Sequence, residues 1–278
     1  MLKPVPFFRR SEPVDAMPFM KRPMPVLLMV VVGLQFPAAT ACDAQERPGE
    51  RNVTDWPQHS MDRPRPPVVN AGRFVASGPP PSDAIVLFGG RSLVAWEADA
   101  GGLPGWTVRD GYFEVAPGTG GIHTRQSFRD VQVHIEWSAP NPPAGEGQDR
   151  GNSGVFLMRR YEVQVLDSYR SDTYPDGMAG ALYGQFPPLV NATRPPGEWN
   201  VYDIIFRAPR FLDDGTLDEP ARVTVFHNGV LVQHDQALVG PTSHTTRAPY
   251  EAHADRLPIG LQDHDHPVRF RNIWVREL

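Results

Sequence analysis

Val131-Gln132-Val133-His134-Ile135-Glu136-Trp137 alternates apolar and polar residues with a period of two. That period describes a half-exposed antiparallel strand, with one face buried and the other available. Val155 to Leu166 repeats the device over a longer span: Val155, Leu157, Tyr161, Val163 and Val165 share one face, and Arg160, Glu162 and Gln164 the opposite one. The pattern predicts a single long strand there. Working outward, Trp106 to Arg109 and Tyr112 to Val115 flank Asp110-Gly111, and Arg222 to Phe226 is joined to Val230 to Gln233 through His227-Asn228-Gly229. Asp-Gly and Asn-Gly accept the positive φ angles of tight hairpin turns, so two hairpins are predicted. Further strands are expected at Val201 to Arg207 and Val268 to Arg276. The 25 glycines and 31 prolines interrupt nearly every stretch that could hold a three-turn helix, which excludes a helical bundle. The expected fold is all-β: an antiparallel β-sandwich, a jelly roll, filling residues 83–278.

The preceding residues read differently. Met20-Lys21-Arg22-Pro23-Met24-Pro25 is a short basic lead, Val26 to Phe36 an apolar run, and Ala38-Ala39-Thr40-Ala41 a set of small residues before Cys42, the one cysteine. This order reads as an export signal over residues 1–41, in which Met1 to Phe19 adds nothing a signal needs and fits an overlong start. The apolar run is too short to span a bilayer comfortably. Small residues before a lone cysteine resemble a lipoprotein box, with Cys42 acylated and membrane attachment only through that lipid; ordinary cleavage after Ala41 is the other reading. Residues 42–82, with eight prolines from Asp43 to Ser82, read as a tether, with Val68 to Val75 open to the alternative of an arm packed on the domain. The formal charge is −5 and the only lysines are Lys3 and Lys21, which argues against a nucleic-acid partner.

Which polar residues carry chemistry? Gly151-Asn152-Ser153-Gly154 leads into the strand bearing Arg160, Glu162 and Gln164 and ending at Asp167. Carboxylate, amide and guanidinium groups together suit sugar hydroxyls. The bland alternative makes Glu162 a solvated residue paired with Arg160, and Asn152 a turn former. Tyr183, Trp199 and Trp137 could stack on sugar rings or fill the core. His264-Asp265-His266 is a weak metal signal by itself. Serine nucleophile elbows, phosphate loops, dinucleotide fingerprints and zincin motifs are missing from the sequence.

A resemblance adds to this reading. Leu87-Phe88-Gly89-Gly90-Arg91-Ser92-Leu93 with Trp96, the Asp110-Gly111 hairpin, Gly151 to Leu157, Tyr161 to Tyr169, Pro196-Gly197-Glu198-Trp199-Asn200, His227-Asn228-Gly229, and Leu261-Gln262-Asp263-His264 before Pro267 to Trp274 together resemble the 3-keto-disaccharide hydrolase family. The likeness runs in order from about Ile85 to the C-terminus, departing at Met158 and His266. It implies a concanavalin-like jelly roll and an exported hydrolase, periplasmic or held at the envelope, that cleaves 3-keto-glycosides or 3-keto-disaccharides. A ketone at C3 acidifies the C2 hydrogen, so a base can remove it, the C1 substituent leaves, and water adds. Under this resemblance Glu162 is the leading base or acid and Asp167 the second. Arg160, Gln164 or His264 stabilises the oxyanion, and Tyr183, Trp199 and Asn152 join Arg160 and Gln164 in binding substrate. A divalent metal ion on Glu162, Asp167 and His264 is an alternative stabiliser. The competing functions are a two-carboxylate glycosidase, a non-catalytic carbohydrate-binding module and an adhesion domain.

Overall fold

The computed structural model describes residues 51–278; the signal-like segment, Cys42 and the start of the Pro-rich stretch lie outside the described residues. The strands, in chain order, are β1 (Ile85–Phe88), β2 (Trp96–Ala98), β3 (Thr107–Arg109), β4 (Tyr112–Glu114) and β5 (Ile122–Phe128). They continue as β6 (Val131–Ser138), β7 (Ser153–Leu157), β8 (Tyr161–Val165), β9 (Asn200–Arg207) and β10 (Arg210–Phe211). The last five are β11 (Leu217–Glu219), β12 (Arg222–His227), β13 (Val230–Ala237), β14 (Leu257–Leu261) and β15 (Arg269–Glu277). Among the described residues only two single-turn 3₁₀ segments interrupt them, Val53–Asp55 and Pro175–Gly177.

Two large antiparallel sheets result, with β10 and β11 forming a separate two-stranded ribbon. One has eight strands in the order β13-β12-β9-β6-β15-β4-β3, with β1 added against β15; the other has five, β2-β5-β14-β7-β8. Their apolar faces meet in one core, with Trp96, Trp137, Tyr161 and Tyr202 fully buried in it. Tyr161 of the five-stranded sheet packs 5.7 Å from Phe206 of the other. Tyr202 reaches across from β9 and donates its hydroxyl to the carbonyl of Gln164 on β8, 2.7 Å away. The sandwich expected from period-two alternation is therefore the observed architecture. Both predicted hairpins are present, and both carry positive φ at each central residue: 49° and 81° at Asp110 and Gly111, 54° and 79° at Asn228 and Gly229.

Val155 to Leu166 is not the single strand that alternation predicts. Met158 and Arg159 each take a φ of 54° and reverse the chain, so β7 and β8 form a hairpin pairing Val155 with Val163 and Leu157 with Tyr161. Cross-strand partners have the same parity in this register, so the odd-numbered residues still share the core face. Arg160 falls in the turn instead of on the face of Glu162 and Gln164. The second correction concerns β6, whose polar face is covered, leaving His134 only 4% and Glu136 only 2% exposed. Arg271 Nε donates to Glu136 at 2.6 Å, Asn272 donates to its other oxygen at 3.0 Å, and Trp274 stacks on the His134 ring at 5.0 Å. Burial alone would lower the His134 pKa, but the hydrogen bonds to Asp203 and Glu136 outweigh it and raise it to about 9.

The Pro-rich residues from 51 onward lie along the sandwich. Arg51 donates to Gln233 at 2.5 Å, Arg63 to the Gln185 carbonyl at 3.1 Å, and Val69 N–H to the Asn191 carbonyl at 2.9 Å. Arg194 Nε in turn donates to the Gly72 carbonyl at 3.1 Å.

Candidate active site

The outer face of the five-stranded sheet is built around one transverse row. Glu97 pairs with His123, His123 with Gly260, Gly260 with Phe156, and Phe156 with Glu162, so a residue from each strand lies in line on the solvent side. At the β7–β8 end of this row is a pocket of about 250 Å³ lined by Asn152, Phe156, Glu162, Gln164, Tyr183, Thr242, Ser243, His244, Gln262 and His264. A larger cavity of about 510 Å³ lies between residues 68–73 and Asn191 to Glu198, but its one carboxyl, Glu198, is exposed.

Glu162 sits at the base of the pocket, 4% exposed. Among the described residues its carboxyl makes no hydrogen bond or ion pair, and burial alone raises its pKa to about 8. The solvated pairing with Arg160 does not occur. Period two explains the placement: Val163 and Val165, both fully buried, point into the core, which turns Glu162 and Gln164 outward beneath the pocket. Backbone contacts fix the strand, with Glu162 N–H donating to Thr242 Oγ1 at 2.9 Å and Thr242 N–H to the Arg160 carbonyl at 2.7 Å.

Three side-chain amides, of Asn152, Gln164 and Gln262, line the pocket with this carboxyl. Gln164 donates its amide nitrogen to Gln148 Oε1 at 2.9 Å and Asn152 its own to the Gln148 carbonyl at 2.8 Å. Those bonds set the amide orientations and leave Gln164 Oε1 and Asn152 Oδ1, together with Gln262 Oε1, buried without a partner among the described residues. A buried acceptor with no donor is costly, so the pocket is complementary to a ligand rich in hydroxyl donors. The opposite wall holds Tyr183, whose hydroxyl lies 2.7 Å from Tyr174 Oη and 3.1 Å from His244 Nδ1. Burial raises the Tyr183 pKa, and the charges of Glu162 and Asp176 add to it against the bond to Tyr174.

That wall is held from behind by residues 56–59. Gln58 Nε2 donates to the Ser243 carbonyl at 2.7 Å, His59 Nε2 lies 2.9 Å from the His244 carbonyl, and Arg247 donates to the Trp56 carbonyl at 3.0 Å. The anchor is Asp176, fully buried, which accepts the His59 N–H at 3.1 Å and has Arg63 Nη1 3.8 Å away. Burial opposes its ionisation, yet the His59 hydrogen bonds and the Arg63 charge hold it below the ordinary aspartate range.

Asn152, Glu162, Gln164, Tyr183 and His264 are thus gathered in one pocket. Asp167 is not: it is 1% exposed and accepts from Arg150 Nε at 2.7 Å, tying the strand end to the loop before β7. Trp199 lies beside the eight-stranded sheet, its ring 4.0 Å from the Arg271 guanidinium. Arg160 stays in the β7–β8 turn. Glu162, Asp167 and His264 therefore do not form a metal centre, and among the described residues no group of three His, Cys, Asp or Glu is placed to hold an ion. Sequence reasoning missed Phe156, Thr242, Ser243, His244 and Gln262. Phe156 could have been found as an even-numbered neighbour of Glu162, and Gln262 as a member of the Leu261-Gln262-Asp263-His264 motif; Thr242, Ser243 and His244 carry no local signal.

A β-sandwich with one desolvated carboxyl and unpaired amide oxygens lining a pocket on a sheet face offers a site for a hydroxyl-rich ligand. This chain belongs to the family described as 3-keto-alpha-glucoside-1,2-lyase-like domain, whose model matches residues 83–276. A curated relative, the 3-keto-disaccharide hydrolase of Bacteroides thetaiotaomicron, is 25% identical over 242 residues, covering 70% of this chain and 78% of that protein. The crystal structure of a Parabacteroides distasonis protein, termed a "putative glycosyl hydrolase", is 46% identical with a TM-score of 0.69, covering 74% of this chain and 94% of its own. A second protein from that organism, described in the same words, is 19% identical with a TM-score of 0.50 over 70% of this chain and 94% of its own, and shares the fold.

Proposed function

We propose that this protein hydrolyses the glycosidic bond of 3-keto-glycosides by elimination and hydration, with Glu162 as the base. The observation that carries the reading is the Glu162 carboxyl: buried, unpaired, facing the pocket and raised to about 8. A base of that strength suits removal of a hydrogen made acidic by an adjacent ketone. Glu162 takes the C2 proton, and the electron pair passes to the C3 oxygen as an enolate, for which the Tyr183 hydroxyl is the donor at hand. The enolate collapses, restoring the ketone, forming the C1–C2 double bond and breaking the bond from C1 to the aglycone oxygen. That oxygen takes a proton from His264 at the rim. Water then adds at C1, giving a proton back to His264, while Glu162 returns its proton to C2. The unpaired oxygens of Asn152 and Gln164 accept from sugar hydroxyls throughout. A two-carboxylate mechanism is less well supported, because among the described residues Glu162 is the one carboxyl lining this pocket.

The test is aglycone release from a panel of 3-keto-glycosides and their unoxidised parents, with each keto substrate also supplied deuterated at C2. Release from the keto forms alone, slowed by deuterium, is expected. Equal release from the parents without an isotope effect makes the protein an ordinary glycosidase, and binding without release makes it a sugar-binding module. We also infer export with lipid modification at Cys42; mass spectrometry of the native protein should find an acylated N-terminal Cys42, and an intact Met1 or Met20 overturns it.

A further inference from the structure

The cavity of about 510 Å³ is closed on one side by the arm that precedes the matched domain. That arm is clamped twice. Val69 N–H donates to the Asn191 carbonyl and Asn191 N–H to the Pro67 carbonyl, both at 2.9 Å. Farther on, Arg194 Nε donates to the Gly72 carbonyl at 3.1 Å and Nη2 to the Arg73 carbonyl at 3.4 Å. Between the clamps the chain turns: Asn70 Oδ1 accepts the Gly72 N–H at 2.9 Å, and Gly72 takes a left-handed φ of 71°. The arm therefore bows, and the cavity lies between the bow and the domain.

Its lining is cationic although the formal charge of the chain is −5: Arg73, Arg170 and Arg194 face one carboxylate, the exposed Glu198. Arg194 is only 8% exposed, and its hydrogen bonds end on neutral oxygens: the carbonyls of Gly72, Arg73 and Trp199, and Asn228 Oδ1. Such acceptors satisfy the N–H groups without cancelling the charge. Arg73 and Arg170 form no ion pair among the described residues. Asp172, two residues beyond Arg170, is instead paired with Arg65. Arg170 has a left-handed φ of 50°, and its guanidinium lies 5.3 Å from the centroid of Tyr169, another lining residue. Thr193 adds a hydroxyl whose oxygen is buried without a partner among the described residues.

We propose that this cavity binds a phosphate group, carried by a small soluble ester or by the headgroup of an anionic phospholipid. Two unpaired guanidiniums offer forked N–H donors that match adjacent phosphate oxygens, and the Thr193 hydroxyl is a further donor. The Arg194 charge behind them adds attraction. Val68 and Val75 on the same arm, 82% and 80% exposed, offer a lipid apolar contacts that a soluble ester does not use. The site is separate from the chemistry assigned to Glu162, and stands or falls without it.

The experiment is calorimetric titration of the full chain with inorganic phosphate and glycerol 3-phosphate at low salt, with acetate as the control anion. Co-sedimentation with phosphatidylglycerol or phosphatidylcholine vesicles runs beside it, each variant against wild type so that any anchoring through the N-terminal segment cancels. For a soluble ester, a phosphate ligand is expected to bind saturably and about tenfold more tightly than acetate. For a lipid headgroup, wild type is expected to exceed the Arg73→Gln, Arg170→Gln double variant on phosphatidylglycerol vesicles alone. Each single arginine change should weaken binding by about tenfold, and because both side chains are exposed the variants should melt with wild type. Thr193→Val should weaken binding several-fold yet melt at or above wild type, since it deletes an unpaired buried hydroxyl. The site is overturned if phosphate ligands bind no better than acetate and the double variant sediments like wild type. It is equally overturned if binding ignores the arginine changes.

Discussion

Glu162 carries its carboxyl over the bare α-carbon of Gly154, where a β-carbon would stand 2.5 Å from Oε1 and 2.8 Å from the Phe156 ring. Gly154 has an ordinary backbone conformation, so alanine there meets the carboxyl without straining the chain. Gly154→Ala should lower kcat by about 10- to 100-fold through displacement of the base. Its overpacking should cost about 1 to 3 kcal/mol in thermal denaturation. An unchanged kcat would show that the position of this carboxyl does not govern the reaction.

The raised pKa of Glu162 links stability to pH. Below its unfolded value of 4.5 the group is protonated in both states and costs nothing. As pH rises from there to about 8 the unfolded chain ionises and the folded one resists, so stability falls across that window and levels off above it. The loss at pH 7 is about 3 kcal/mol. Glu162→Gln should flatten this profile and raise the melting temperature in alkaline buffer, while lowering kcat by about 10²- to 10⁴-fold. The rising acid limb of the wild-type kcat/KM profile should follow ionisation of Glu162 towards about 8; a profile with no rise over that range would remove Glu162 as the base.

Val163 tests the facing of the hairpin. Its side chain is fully buried between the sheets, so Val163→Ala should cost about 2 kcal/mol in denaturant unfolding and leave kcat near wild type. Loss of activity with unchanged stability would mean that the opposite face of β8 meets substrate.

Residues 56–59 should tune binding from behind the pocket wall. Gln58→Ala deletes the 2.7 Å donation to the Ser243 carbonyl, and is expected to raise KM several-fold, the worth of about 1 kcal/mol. Because Gln58 lies away from the reacting atoms, kcat and melting should stay close to wild type. A fall in kcat at unchanged KM would contradict this role.

The legible parts of the molecule were those written into adjacent residues. Asp110-Gly111 and Asn228-Gly229 announce their turns because both residue pairs tolerate positive φ, and β6 shows itself through period two. The reversal at Met158-Arg159 was hidden, since neither residue favours left-handed backbone and the alternation continues undisturbed through the hairpin. Glu162, Gln164, Asn152, Tyr183 and His264 were nameable as polar groups in a suggestive order. Thr242 and His244 were not: they sit about 80 residues from Glu162 in an aperiodic loop and enter the pocket through tertiary hydrogen bonds. Asp167 looked equivalent to Glu162 because sequence does not reveal that Arg150 neutralises it.

Strand β15 is the final strand of the sequence yet occupies an interior slot of the eight-stranded sheet, with β6 along one edge and both β4 and β1 along the other. Until those residues arrive, β6 and the N-terminal strands have no ladder between them. Such late, non-local closure makes folding slow and leaves a partly synthesised chain open. A polypeptide that lacks β15 cannot close this sheet, so truncation before Arg269 forfeits the joint between the two halves of its larger sheet, however intact the smaller sheet stays.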